Sequence, residues 1–194
     1  MTDQITRVLA IPGSLRRESY NRSLVEAAVS LAPPAMSITV DESLDLVPVF
    51  NEDLENPPPA GVARLREAVA SSDGMLIATP EYNQSLPGVV KNMIDWLSRS
   101  DGMAGKPVAV TGVTSGPWGT RLAQTQLRQV LTSTQALVLS QPTLFLRDAA
   151  TLFDHERKLV HTTTRRRLEE FLVSFDHWIR LVSPHVCGPK KLGA

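Results

Sequence analysis

Gly13, Ser14, Arg16, Ser19 and Asn21 fall within the stretch "GSLRRESYN", a concentration of hydrogen-bond donors behind one glycine. Serine hydroxyls, a guanidinium fork and a carboxamide can converge on one anion, and the unsatisfied N–H groups of a helix start favour the same charge. The glycine would let the main chain approach closely. The chemistry this predicts is phosphate binding. Asn21 suits both capping the helix that follows and donating from its amide. A capped loop with surface arginines uses the same residues, and this segment by itself leaves both readings open.

Two further loops carry similar potential. In "TPEYNQSLPG", residues 79–88, Pro80 and Glu81 favour extended chain with free peptide groups, Tyr82 offers a flat amphipathic ring, and Asn83 can donate and accept. Such an edge suits a flat heterocycle; a surface turn with Tyr82 covering the core is the alternative. In "GVTSGPWG", residues 112–119, Thr114, Ser115 and Gly116 precede Trp118.

The elements that must position these loops follow from periodicity. The apolar run at residues 5–11 reads as a buried strand, and Leu24, Ala27, Ala28 and Leu31 recur at helical spacing from Asn21 onward. A strand is predicted from Met36, and the segment holding Pro48 and Pro57 to Pro59 excludes regular structure, giving an exposed connection able to overhang the first loop. A helix through "VARLREAVASSD" leads to a strand around Met75 to Ala78. Pro87 opens a helix whose stripe is Val89, Val90, Met93, Ile94 and Leu97. A fourth strand runs through "KPVAVTGV", a helix with Leu122, Leu127, Val130 and Leu131 inward follows, and "ALVLSQPTLFL" supplies a fifth strand. A last helix is expected over 155–182, carrying Leu159, Leu168, Phe171, Leu172, Phe175 and Ile179.

Strict alternation gives a parallel sheet with helices on both faces. A single glycine in "PGSLRR" does not make the dinucleotide fingerprint, and no G-K-[ST] follows for a P-loop. The expected fold is therefore α/β, a flavodoxin-like three-layer sandwich with a five-stranded parallel sheet of order 2-1-3-4-5. It forms one domain over 1–182, with a tail over 183–194. In that order the first and second loops flank the switch point where open sheets bind ligands.

Lys plus Arg and Asp plus Glu both number 20 in 194 residues, so the formal net charge is zero. Global attraction to nucleic acid or anionic lipid is not expected. Cys187 is the sole cysteine and reads as a passive tail thiol. His155, His161, His177 and His185 never fall three or four residues apart, and with no cysteine cluster no metal site is predicted. No apolar run approaches the ~20 residues of a membrane span. The expectation is a cytoplasmic protein with no membrane partner.

"GSLRRESYNRSL" and "TPEYNQSLPGVVKNMIDWLSR" together resemble the signature of the NADPH-dependent FMN reductase family, the flavodoxin-like group that includes quinone and chromate reductases. A weaker glycine-rich turn before a helix is met by Gly116, Gly119, Leu127 and Arg128. The resemblance implies that Ser14, Arg16, Ser19 and Asn21 bind the phosphate of non-covalently held FMN. Pro80, Glu81, Tyr82 and Asn83 would line the isoalloxazine, with Thr114, Ser115 and Gly116 on its other flank. It further implies NADPH as donor, a ping-pong scheme, and quinones, azo compounds, nitroaromatics, chromate or free flavin as small-molecule acceptors. No side chain is then needed as a catalytic group, and the chain would be a homodimer or dimer of dimers. A non-catalytic electron carrier of the flavodoxin kind is the alternative, against which the zero net charge argues.

Two departures stand out. Thr120 replaces the usual second glycine of the third loop, and Pro117 with Trp118 replaces smaller residues. Trp118 reads as packing on a neighbouring subunit, or else as covering the ring. Arg165, Arg166 and Arg167 read first as a solvated, internally paired face, and second as a grip on the NADPH 2′-phosphate.

Overall fold

An apolar run without alternation must be covered on both faces, and in the computed structural model, which describes residues 5–186, "TRVLAIP" is buried at every residue but Arg7. It forms β1 (Thr6–Pro12), followed by α1 (Tyr20–Ser30) and β2 (Met36–Val40). The chain continues through α2 (Ala60–Ala70), β3 (Gly74–Ala78), α3 (Gly88–Leu97), β4 (Pro107–Val113) and α4 (Arg121–Ser133). β5 (Leu137–Val138), β6 (Leu144–Leu146), α5 (Ala149–Leu152) and α6 (Thr162–Val186) complete it.

All strand pairs are parallel, as the alternation predicts, and the order is the expected β2-β1-β3-β4-β5. The predicted fifth strand is two pieces. β5 pairs with the start of β4 and β6 with its end, Thr111 against Leu144, and the interruption falls at "SQP", where Pro142 cannot donate to a ladder.

Successive residues of β1 enter two cores. Val8 and Ala10 join Leu24, Ala28, Leu168, Phe171 and Phe175 beneath α1 and α6, whereas Leu9 and Ile11 join Val62, Met93, Ile94 and Leu127 beneath α2, α3 and α4. Both faces of the sheet are thereby filled.

Three expectations change. The connection after β2 contains two short 3-10 turns (Ser43–Leu46 and Glu52–Leu54) and is fastened along α3. The Pro48 carbonyl accepts from Asn92 Nδ2 at 2.9 Å and Trp96 Nε1 at 2.8 Å, and the Phe50 ring meets Trp96 edge-on at 5.0 Å. Trp96 is thus fully buried within the chain, which accounts for an apolar surface on α3 larger than one sheet face requires. Leu122 points outward rather than inward, 47 % exposed in the first turn of α4. The last helix begins at Thr162, not residue 155. Asp154 Oδ1 accepts from the N–H groups of Glu156 and Lys158, closing a turn in which Arg157 takes φ 64°. Leu159 is buried all the same, but from this loop. At its other end α6 passes the expected boundary at 182 and runs to Val186; Cys187 lies outside the described residues.

Candidate functional site at the carboxyl edge of the sheet

The first loop is seated by backbone. The Gly13 N–H donates to Ala78 O at 2.8 Å, and a Cβ at position 13 would lie 2.7 Å from Val90 Cγ2, so only glycine fits between β3 and α3. Ser19, rather than Asn21, caps α1: its Oγ accepts from the Asn21 N–H at 3.2 Å. Asn21 is occupied elsewhere. Its Nδ2 donates to Val113 O at 2.9 Å and its Oδ1 accepts from Val113 N–H at 3.0 Å, a buried bracket between α1 and β4.

Arg16 is exposed, its guanidinium 5.9 Å from the Tyr20 ring centroid, and it forms no ion pair among the described residues. A free fork beside a helix start is available to an anion. Ser14 Oγ lies 3.3 Å from the Tyr82 hydroxyl, so the first and second loops meet side chain to side chain.

The second loop turns sharply after Tyr82. Asn83 and Gln84 both take positive φ, 51° and 61°, and Tyr82 and Ser85 exchange two backbone hydrogen bonds of 3.0 Å. Positive φ at both central positions is the type I′ turn, which asparagine tolerates. Glu81 aims its carboxylate at α4, where Oε2 accepts from Leu122 and Ala123 N–H at 2.9 and 3.0 Å. That contact caps a helix whose own N-terminal residue, Thr120, accepts none of the helix's backbone N–H groups with its side chain. Thr120 is buried and accepts from Gln124 Nε2, while the preceding Gly119 supplies φ +73°.

These loops enclose a cavity of about 310 Å³ at the carboxyl ends of β1, β3 and β4. Of the eleven residues that the resemblance puts at the cofactor, Ser14, Arg16, Ser19, Asn21, Pro80, Glu81, Tyr82, Thr114 and Ser115 line this one cavity. Asn83, at the apex of the turn, and Gly116 do not. Tyr20 and Val113 line it as well; Tyr20 was hidden in the sequence as an ordinary first helical residue. Arg157, beyond α5, stacks 4.4 Å from the Tyr20 ring and pairs with Glu18. No spacing rule connects residue 157 with residue 18.

Volume does not single this cavity out. One of about 620 Å³ lies at the opposite edge against Asp73 and Lys106, and one of about 950 Å³ lies beyond the third loop. The chemistry of the walls does: hydroxyls, an exposed guanidinium that forms no ion pair among the described residues and the Tyr82 ring suit a phosphate joined to a flat polar ring. Among the described residues no cluster suits a metal ion, and no helix is long and apolar enough to cross a membrane.

Comparison with known proteins agrees. A family model described as NADPH-dependent FMN reductase matches residues 6–151. The chain is 40% identical over 184 residues to the NAD(P)H-dependent FMN reductase PA1204 of Pseudomonas aeruginosa, covering 93% of this chain and 98% of that one. It is 35% identical over 179 residues to a 2-hydroxy-1,4-benzoquinone reductase of a Burkholderia species, covering 90% and 96%. Among solved structures, FerB, a flavoenzyme NAD(P)H:(acceptor) oxidoreductase from Paracoccus denitrificans, superposes with a TM-score of 0.84 at 32% identity, covering 92% of this chain and 99% of that one.

Proposed function

The chain belongs to the NADPH-dependent FMN reductase family, and from that premise we propose that it transfers electrons from NADPH through bound FMN to quinones in a ping-pong scheme. The observation that carries the reading is the convergence of three loops on one cavity whose first wall offers Ser14, Ser19 and the unpaired Arg16. The residues fit FMN. Ser14, Ser19 and Arg16 would hold its phosphate, with Asn21 keeping α1 and β4 in register beneath them. Pro80 to Tyr82 would hold one flank of the ring, and Thr114 and Ser115 the other.

FMN when bound supplies hydride acceptance and onward electron transfer, so the protein contributes binding, orientation and electrostatics. Tyr82, 51 % exposed, borders the opening through which donor and acceptor enter in turn. In the third loop the Val113 and Thr114 N–H groups are taken by Asn21 and Leu146, which leaves the Ser115 N–H as the backbone donor that would serve charge developing on the ring. Quinone as the acceptor is supported by the benzoquinone reductase relative; azo compounds, nitroaromatics, chromate and free flavin are further candidates. Exposed Tyr82 and Leu122 beside the cavity support a homodimer or dimer of dimers.

The test is an absorbance spectrum of protein loaded with FMN, desalted, and given NADPH without oxygen. Bound flavin is expected to bleach and to recover when a quinone is added. Flavin that binds but stays oxidised would reject the reductase reading in favour of an electron carrier reduced by another protein.

A further inference from the structure

The cavity of about 950 Å³ beyond the third loop has a wall no ligand has yet been given. Three guanidinium-bearing side chains line it: Arg121 from the start of α4, Arg147 after β6, and Arg167 from the second turn of α6. The chain as a whole has no net charge, so this is a local concentration of positive charge. Asp148 is the carboxylate on that wall, and it is engaged by Arg147 at 3.5 Å. The Arg121 guanidinium carbon lies over the Phe145 ring, 5.1 Å from its centroid, and Arg167 has no hydrogen-bond or ion-pair partner among the described residues. Trp118 stands at the same cavity, 81 % exposed.

The position of this cavity matters as much as its charge. Ser115 lines the proposed flavin cavity and Pro117 lines this one, so at most about 7 Å of chain separates the two walls. The partition is fixed: Thr114 O accepts from Ala149 N–H at 3.2 Å and Gly116 O from Asp148 N–H at 3.4 Å. One extended ligand can therefore reach both cavities around the third loop.

We infer that the Arg121, Arg147 and Arg167 cavity binds the adenosine phosphates of the pyridine nucleotide donor, with Trp118 against the adenine, and that Arg167 recognises the 2′-phosphate of NADPH. The assignment rests on the reductase reading for the identity of its ligand. Guanidinium forks match phosphate oxygens two at a time, and an indole face suits a purine. Free Arg167 has no internal ion pair to break before it binds. Electrostatic attraction of this kind weakens with salt.

The probe is adenosine 2′,5′-bisphosphate, titrated calorimetrically into the FMN-loaded protein and then used as an inhibitor. It is expected to bind with one-to-one stoichiometry, more weakly as salt rises, and to compete with NADPH. Arg167→Ala is expected to weaken the probe and raise KM for NADPH by about tenfold or more, the effect of one lost charge-assisted contact, and to raise KM for NADH far less. Arg166→Ala is the control. Arg166 pairs with Glu170 on the neighbouring face and does not line the cavity, so its KM values should follow the parent. Absence of probe binding, or equal loss for NADPH and NADH in Arg167→Ala, would overturn the assignment even where NADPH bleaches the flavin. Failure of NADPH to bleach the flavin would instead reject the reductase reading, and the calorimetric titration would still report on the cavity.

Discussion

At the residue scale, Asn21 separates what a side chain could do from what it does. Its type and spacing indicate a donor to phosphate, yet both of its hydrogen-bonding ends are taken by Val113, in a site only 2 % exposed. Removing it strands a buried N–H and a buried carbonyl at the end of β4, each costing about 1–3 kcal/mol when left without a partner. Asn21→Ala is therefore expected to lower the unfolding free energy of the flavin-free protein by about 2–4 kcal/mol. It should weaken FMN as a consequence, because Ser19 and the third loop lose their common anchor. A urea titration that superposes on the parent curve would show that the bracket contributes nothing. Glu81 teaches the same lesson, since its carboxylate caps α4 from another loop. Residue types were legible in sequence; partners were not, because the partners lie 41 or 92 positions away.

At the element scale, legibility tracked periodicity. β1, α1, β3, α3 and β4 carry uninterrupted apolar patterns and stand where those patterns place them. The errors fall where a pattern stays apolar across a break: the fifth strand divides at a proline, and the helix expected from residue 155 waits for the Asp154 turn to close. Glycines at the sheet edge can be ranked only with the structure. A Cβ at Gly112 would sit 2.0 Å from Thr79 O and 2.7 Å from Thr120 Oγ1, whereas at Gly116 the nearest atom is 3.8 Å away. Gly112→Ala must push the end of β4 from the second loop, with an expected loss of about 3 kcal/mol or more and weakened FMN retention. Gly116→Ala should stay within about 0.5 kcal/mol of the parent. Comparable melting temperatures for the two variants would mean that the loop yields where the packing says it cannot.

At the scale of the whole molecule, the sheet has a binding edge and a structural edge. The order 2-1-3-4-5 was legible because right-handed crossovers leave few alternatives; the arginine cavity was not, because Arg121, Arg147 and Arg167 come from three separate elements. The structural edge carries its own charge cluster. Asp73, ahead of β3, accepts three hydrogen bonds from Arg7, and Lys106, ahead of β4, donates to Val69 O and Ser72 O. Burial alone would raise the Asp73 carboxyl, but the Arg7 hydrogen bonds and the charges of Arg7 and Lys106 outweigh it and hold the group below the usual carboxylate value. Burial lowers the Lys106 ammonium, with Asp73 acting in the opposite sense. A carboxyl whose folded pKa lies below its unfolded value of about 3.9 binds its proton more readily when unfolded. Its stabilisation is thus complete well above that pH and is lost as pH falls through the folded value. Asp73→Asn keeps the shape and an acceptor for the Arg7 N–H while removing the charge. The variant is expected to unfold at lower urea concentration than the parent at neutral pH, and the gap should close as the pH drops below about 4. FMN affinity at neutral pH should match the parent, since the cluster lies at the other end of the strands from the site. A gap that stays constant down to pH ~2 would show that the carboxylate charge contributes nothing there.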